Sequence, residues 1–181
     1  MSIRKLRRKA ILLAALAMLA ALAASCGEQS PPTPTIAFTD AKVTAADAPE
    51  MDWELVVTGA VAEPMTFQYQ DLVSRDLVGL DEILEACDCG DEVRNTWEGI
   101  ALTELLAEAG ASEGATAVIF RGADGYWRKA AIENLDVAMV GLRRDGIWLA
   151  EDEKEGPIRM VVPGQSASYW MSQLVEIEVV E

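Results

Sequence analysis

The sequence predicts a mixed α+β domain in which strands outnumber short helices. Three observations support this fold class. Apolar and polar residues alternate along several short segments, one segment repeats its apolar residues at helical spacing, and Gly, Pro and Asp-Gly turns separate the segments. With 181 residues the chain is long enough for one domain with a hydrophobic core, which is predicted to span residues 51–181.

The N-terminal segment has the composition of an export signal. A basic start precedes an uninterrupted apolar run over residues 10–24, which is short for a membrane span. Small residues then lead directly to Cys26, as in a lipoprotein signal. We therefore expect residues 1–25 to be removed and Cys26 to be lipidated. An ordinary secretory signal is the alternative, and Arg7-Arg8 leaves open whether export follows the general or the twin-arginine route.

Residues 26–50 are predicted to form a Pro-rich tether between the lipid anchor and the domain. The protein is accordingly expected outside the cytoplasm, anchored to a bacterial cell membrane. Removing residues 1–25 takes away five of the 15 basic residues and none of the 30 acidic ones, which leaves a net charge near −20. Such a charge argues against binding nucleic acid or anionic lipid headgroups.

The first half of the domain is predicted to contain two strands and a helical turn. Trp53, Leu55 and Val57 alternate with polar residues up to Gly59, and residues 65–69 form a second short strand before a turn over 70–74. Residues 80–87 are ambiguous. Their apolar spacing is helical over two turns, whereas the family resemblance described below favours a strand.

The second half begins with a helix whose apolar face contains Leu102, Leu105 and Leu106 and which ends at Gly110. Strands are predicted over residues 117–121, 158–162 and 175–179, and Asp145-Gly146 predicts a two-residue hairpin turn. The predicted core contains nine apolar residues from these segments: Leu55, Val57, Leu102, Leu105, Leu106, Val118, Phe120, Val161 and Ile177.

Four segments, in order, resemble the molybdopterin-binding domain of the sulfite oxidase family. They are Trp97-x-Gly99 with the helix after it, Gly122-x-Asp124-Gly125-Tyr126, Gly156-Pro157-x-Arg159 with Pro163-Gly164, and the strand Ile177-Glu178-Val179. The resemblance covers the chain from about Trp53 to Glu181 and implies the fold of that family.

The resemblance also implies a cofactor site, in which molybdenum takes a thiolate from the protein and cations hold the pterin phosphate. Cys87 lies upstream of the Trp-x-Gly segment as the implied metal ligand, with Cys89 as the alternative. Arg159 matches the family arginine after Gly-Pro, and Lys154 and Arg128 are further candidates to hold the cofactor. The structural alternatives are a small buried thiol and a surface arginine at a strand end.

The sequence departs from the family at several positions. Lys154 or Glu155 stands where the family has a histidine, and Ser172-Gln173 stands where it has Lys-Trp. The whole chain contains no histidine, which disfavours serine hydrolase and metallohydrolase chemistry. Seven basic residues fall between Arg121 and Arg159, which indicates either an anion site or a solvated hairpin with alternating charges.

Two functions therefore stay open. One is an exported oxidoreductase with a molybdenum-molybdopterin cofactor, a small oxyanion or sulfoxide-like substrate and a protein redox partner. The other is a non-catalytic relative that binds a small anionic ligand or a partner protein without molybdenum. A thiol redox protein using Cys87-Asp88-Cys89 is disfavoured because redox pairs are usually spaced C-x-x-C.

Replacing Cys26 by Ser tests the predicted anchor. We expect the variant to leave the membrane fraction or to keep its signal segment uncut, because the thiol that would carry the lipid is gone. Fractionation followed by intact-mass measurement distinguishes these results. If the variant stays in the membrane fraction and its mass shows the same processing as the wild type, lipidation at this cysteine is contradicted.

Overall fold

Strands form the framework of the computed structural model, which describes residues 36–41, 47–86 and 92–181. The strands are β1 (Thr39–Asp40), β2 (Glu54–Gly59), β3 (Met65–Gln68), β4 (Val78–Ala86), β5 (Glu92–Ala101), β6 (Ala117–Gly122), β7 (Trp127–Ala131), β8 (Met139–Arg144), β9 (Ile147–Trp148), β10 (Arg159–Val161) and β11 (Leu174–Val180). The α-helices of these residues are α1 (Tyr69–Val73) and α2 (Leu102–Glu108), and short 3-10 helices cover Ile132–Asn134, Leu149–Glu151 and Ala167–Tyr169.

The strands are divided between two sheets. The first sheet has the order β1-β4-β5-β8-β10, with β9 also paired to β8. The second has the order β3-β2-β11-β6-β7, and β2 and β11 run parallel while the other pairs described in both sheets are antiparallel. The predicted mixed α+β fold class is confirmed.

The segment whose sequence was ambiguous, residues 80–87, belongs to strand β4 up to Ala86, and residue 87 lies outside the described residues. Its register against β5 shifts between Leu80 and Ile83, and Glu82 has a φ of 51° within that shift. The extra residues of such a bulge rotate the side chains that follow. Leu80 and Ile83 are therefore both buried although they stand three positions apart. The bulge explains why a strand carries apolar residues at helical spacing.

Two turn predictions are confirmed by backbone geometry. Asp145 and Gly146, with φ of 51° and 82°, join β8 to β9 as a two-residue hairpin, since both positions need a positive φ in this kind of turn. Gly110, with a φ of 64°, follows helix α2 at the position where glycine commonly ends a helix.

The hydrophobic core contains side chains from both sheets and from the helices. Each of the nine residues predicted for the core is buried. The indole Nε1 of Trp53 donates to the carbonyl of Leu174, at the start of the central strand β11, at 2.9 Å. In β11 the predicted alternation holds for Ile177 and Val179, whereas Val175 is only half-buried because a register shift separates Leu174 from Glu176.

Part of the segment predicted as a tether takes part in the first sheet. Thr39–Asp40 form β1 and pair with Gly79 and Val78 of β4. The paired part of the chain thus begins before the predicted boundary at Met51, because an edge position of β4 accepts a short strand. Cys26 and the signal segment lie outside the described residues. Among the helices described, none is long and apolar enough to cross a membrane.

Tyr69 provides a test of the packing around α1. Its side chain is fully buried, and its hydroxyl has no hydrogen-bond partner among the described residues. Burial, assisted by the nearby Glu151 carboxylate, raises the pKa of Tyr69 to about 12. A raised folded-state pKa contributes stability that is present below the unfolded value and lost as pH rises toward the folded one.

We expect Tyr69→Phe to change the free energy of unfolding at pH 7 by no more than about 1 kcal/mol, or to increase it, because an unsatisfied hydroxyl is removed. Wild-type stability should fall as pH rises above about 10, the ordinary tyrosine pKa, and the variant should fall less. Denaturant titrations across this range measure both effects. Tyr126→Phe, at an exposed ring, should leave the alkaline loss in place. An alkaline loss of equal size in Tyr69→Phe would contradict the assignment.

Candidate functional site

Arg159 lies at the centre of a buried ion-pair network. It is the first residue of β10, and only 6% of its surface is exposed. Its Nη2 donates to Oε1 of Glu85 on β4 at 2.5 Å, and its Nη1 donates to Oε2 of Glu155 at 2.6 Å. The same oxygen of Glu155 also accepts a hydrogen bond from Arg144 at the end of β8. One guanidinium therefore holds together three parts of the chain.

Two tryptophan rings surround the guanidinium of Arg159. The Trp97 and Trp170 rings meet edge to face, with centroids 5.8 Å apart. The Cζ atom of Arg159 lies 5.5 Å from the centroid of Trp97 and 5.9 Å from that of Trp170. Both rings are almost completely buried. A cation between aromatic rings gains electrostatic stabilisation, and desolvation strengthens it.

The loop before β10 brings Glu155 into this network. The carboxylate of Asp152 accepts hydrogen bonds from the backbone N–H groups of Lys154 at 2.9 Å and Glu155 at 3.2 Å. These donors favour the charged form and hold the pKa of Asp152 below its ordinary value. The turn that places Glu155 beside Arg159 is thus stabilised locally, with Arg144 contributing an ion pair to Asp152 at 3.5 Å.

Residue Gln173, in the segment that replaces the family's Lys-Trp, supports the same loop from the other side. Its side-chain Nε2 donates to the carbonyl of Glu153 at 3.0 Å, and its backbone N–H donates to the carbonyl of Glu155 at 3.3 Å. Gln173 has a φ of 49°, in the left-handed region. Gln173, at the tryptophan of the Lys-Trp pair that the resemblance implies, therefore anchors the loop that carries Glu155 in this chain.

A cleft of about 510 Å³ opens above the network. Its lining combines carboxylates with one arginine, one amide and two small apolar side chains. Among the described residues these are Glu85, Val93, Asn95, Arg144, Asp145, Glu155 and Ala167. Within this part of the chain no group of three or more His, Cys, Asp or Glu side chains is arranged to hold a metal ion.

The other predicted site residues lie elsewhere. Lys154 is exposed and lines a neighbouring cleft of about 610 Å³ with Trp148 and Glu151. Arg128 lies on β7 of the second sheet, where its guanidinium stacks on the Tyr126 ring with Cζ 4.3 Å from the centroid. Cys87 and Cys89 fall outside the described residues, so their predicted role as metal ligands stays a prediction.

Acidic partners occupy most of the predicted cation cluster. Arg121 pairs with Glu176 and Glu178, and Arg143 pairs with Glu98. Arg144 and Arg159 share Glu155, as described above. Over residues 36–41, 47–86 and 92–181, no ion pair involves the remaining members of the cluster: Arg128, Lys129 and Lys154.

Comparison with known proteins decides the family. Residues 41–181 match the family model described as the oxidoreductase molybdopterin binding domain. The chain belongs to this family. It is 27% identical over 160 residues to the nitrate reductase [NADPH] of Fusarium oxysporum. The alignment covers 72% of this chain and 18% of that protein.

The fold of the sulfane dehydrogenase SoxCD from Paracoccus pantotrophus is also similar. It superposes with a TM-score of 0.65 and 21% identity over 77% of this chain and 40% of that one. This chain therefore spans less than half the length of either relative. The prediction of a sulfite oxidase-type molybdopterin-binding domain is confirmed.

The molybdopterin-binding family implies an anionic cofactor, and the described residues do not fit the phosphate of such a group. Both terminal nitrogens of Arg159 already donate to carboxylates. The side chains of Glu85 and Glu155 are 17% and 29% exposed, so their charges are only partly screened by water. A phosphate approaching Arg159 would meet like charges across a short distance in a medium of reduced dielectric constant.

Sequence reasoning missed Glu85, Glu155 and the aromatic enclosure. The sequence left Arg159 open as a phosphate ligand or as a surface arginine, and the surface alternative is wrong because the side chain is buried against Glu85, Glu155 and two tryptophan rings. Glu155 precedes Gly156-Pro157 in the sequence, so its position beside the arginine had a local signal. Glu85 had none, since it stands 74 positions from Arg159.

Substitution of Arg159 by Met tests whether this network supports the fold. We expect the variant to lose about 3–5 kcal/mol of unfolding free energy, because the half-buried Glu85 then has no ion-pair partner among the described residues and Glu155 keeps only Arg144. Denaturant titration at pH 7 provides the measurement. Replacing Glu85 by Met in addition should recover part of the loss, since it removes one of those carboxylates.

Arg121→Met is the matched control for this experiment. Arg121 also contacts two glutamates, but its side chain is 37% exposed. An ion pair in that setting contributes about 0–1 kcal/mol. Losses of the same small size in both arginine variants would mean that the buried network does not stabilise the domain.

Proposed function

We propose that this chain is an exported, lipid-anchored member of the molybdopterin-binding family that binds a ligand or partner without a molybdenum cofactor. The single observation that supports the proposal is the pairing of Arg159, the arginine of the Gly-Pro-x-Arg motif, with Glu85 and Glu155. Protein carboxylates stand beside the group that would receive the cofactor's phosphate. The domain then keeps the family fold as a scaffold for binding.

The positions of the other candidate residues support the same function. Lys154 lines a different cleft from Glu85 and Glu155, and Arg128 belongs to the other sheet. Ser172 stands where the family has a lysine, and Gln173 beside it hydrogen-bonds the loop before β10. Among the described residues these candidate cations do not converge into a basic cradle for an anionic pterin. The proposed export and anchoring are supported by the signal-like segment before Cys26 and by the polar, Pro-rich segment after it.

Oxidoreductase activity is the second candidate, supported by Cys87 and Cys89 upstream of Trp97-x-Gly99 and by the similarity to a nitrate reductase. In that case one thiolate would complete the metal centre, and the substrate would be a small oxyanion or a sulfoxide-like molecule. This candidate requires a pterin held without Arg159, or a rearrangement that frees Arg159 from both carboxylates.

Molybdenum content separates the two candidates. The mature protein is produced in a host that makes the cofactor, purified without reductant and measured by elemental mass spectrometry against protein concentration. We expect substoichiometric molybdenum that does not change in Cys87→Ser or Cys89→Ser. A cofactor-loaded member of the family, produced in the same host, controls for cofactor supply.

Stoichiometric molybdenum would overturn the proposal and support the oxidoreductase. Loss of the metal in only one of the two cysteine variants would then identify the ligand. Arg159→Met is not used in this experiment, since its expected instability would itself release a cofactor.

A further inference from the structure

We infer that the cleft beside Arg159 binds a primary ammonium group carried on an alkyl chain. The inference rests on the proposed function, because a bound pterin would compete for the same cleft. It is supported by the carboxylates that line the cleft, by the Asn95 amide, which has no hydrogen-bond partner among the described residues, and by the apolar side chains at the rim.

Free carboxylate oxygens provide the charge. Glu85 uses Oε1 toward Arg159 and Glu155 uses Oε2 toward both arginines, so the second oxygen of each carboxylate accepts no hydrogen bond within the described part of the chain. Asp145 adds a third carboxylate, of which Oδ1 accepts the backbone N–H of Thr96 at 2.8 Å. An ammonium group has three donors and no acceptor, which suits a site composed of such oxygens.

Asn95 provides an independent indication of a ligand. Its side chain lines the cleft, and only 8% of the residue is exposed. It makes no side-chain hydrogen bond to any residue that the structure describes, although buried amides are usually paired. Its carbonyl oxygen can accept a hydrogen bond from the same ammonium group that the carboxylates attract.

The sign of the charge in the cleft favours a cation. Three carboxylates line it, and they outnumber the two arginines beside them, Arg144 and Arg159, which pair with Glu85 and Glu155. The chain as a whole carries a net charge of −15. Its field therefore repels anions and raises the local concentration of cations near the cleft.

The rim of the cleft is suited to an alkyl chain. Val93 is 52% exposed and contributes an apolar wall, and Ala167 contributes a second small side chain. The volume of about 510 Å³ lies within the range of small-ligand sites, about 300–1,000 Å³. A free diamine and the lysine side chain of a peptide share this chemistry, so the experiment includes a probe for each.

Isothermal titration calorimetry of the mature protein tests the site with cadaverine, with a lysine-containing peptide blocked at both ends, and with sulfate. We expect cadaverine or the peptide to bind and sulfate not to bind. Tighter binding of the peptide would indicate a protein partner as the natural source of the ammonium group. Equal or tighter binding of cadaverine would indicate a small amine.

Two lysine substitutions locate the binding. Val93→Lys places a cation at the rim without altering the ion pairs and should weaken cadaverine binding by about tenfold or more. Ile147→Lys adds the same charge at an exposed position of the neighbouring cleft and should change the affinity by about twofold at most. Asn95→Leu, which removes the amide at similar volume, should also weaken binding.

Three results would overturn the site. They are sulfate binding to the wild type, equal weakening by both lysine substitutions, and no binding of either amine probe to protein shown by circular dichroism to be folded. If neither amine probe binds to folded protein that contains no molybdenum, the ammonium site is wrong, but the proposed function is not contradicted. Stoichiometric molybdenum would instead contradict the proposed function. The two failures are therefore distinguishable.

Discussion

The structure depends on the way one buried guanidinium is neutralised. The guanidinium of Arg159 is a cation, and its position beside two buried tryptophan rings removes it from water. Burial of that charge requires nearby carboxylates, which Glu85 supplies from β4 and Glu155 from the loop before β10. This requirement brings the end of strand β4 and the loop before β10 together at Arg159. Both contribute residues to the lining of the adjacent cleft.

The fold and the candidate site of this chain depend on different interactions. The two sheets, the capped helix α2 and the Asp145-Gly146 hairpin agree with the molybdopterin-binding family that residues 41–181 match. These features depend on apolar pattern and turn chemistry, which tolerate changes of polar residues near the surface. The site depends on the sign of a few charges. Where the resemblance places a histidine, this chain has Lys154 or Glu155, and Glu155 brings a carboxylate to Arg159.

The loop over residues 152–156 shows how such an exchange is accommodated. Asp152 and Gln173 hold the loop through hydrogen bonds to its backbone, so its path does not require a bound ligand. A preorganised loop keeps Glu155 beside Arg144 and Arg159 at a small entropic cost. Glu85 and Glu155 both pair with Arg159 and line the cleft. Recognition of an ammonium group would therefore use the same two carboxylates that stabilise the fold.

The sequence by itself determined the fold class, the core and the local turns, because these depend on interactions between residues close in the chain. Leu105 and Leu106 share a helix face through spacing alone, and Gly110 and Gly146 mark turns that need a positive φ. Only the tertiary structure decided that residues 80–86 form a bulged strand, since burial of both Leu80 and Ile83 depends on their register against β5. It alone paired Arg159 with Glu85 across 74 positions. The charge partners of a buried arginine depend on which strands become neighbours, and no local pattern in the sequence encodes that.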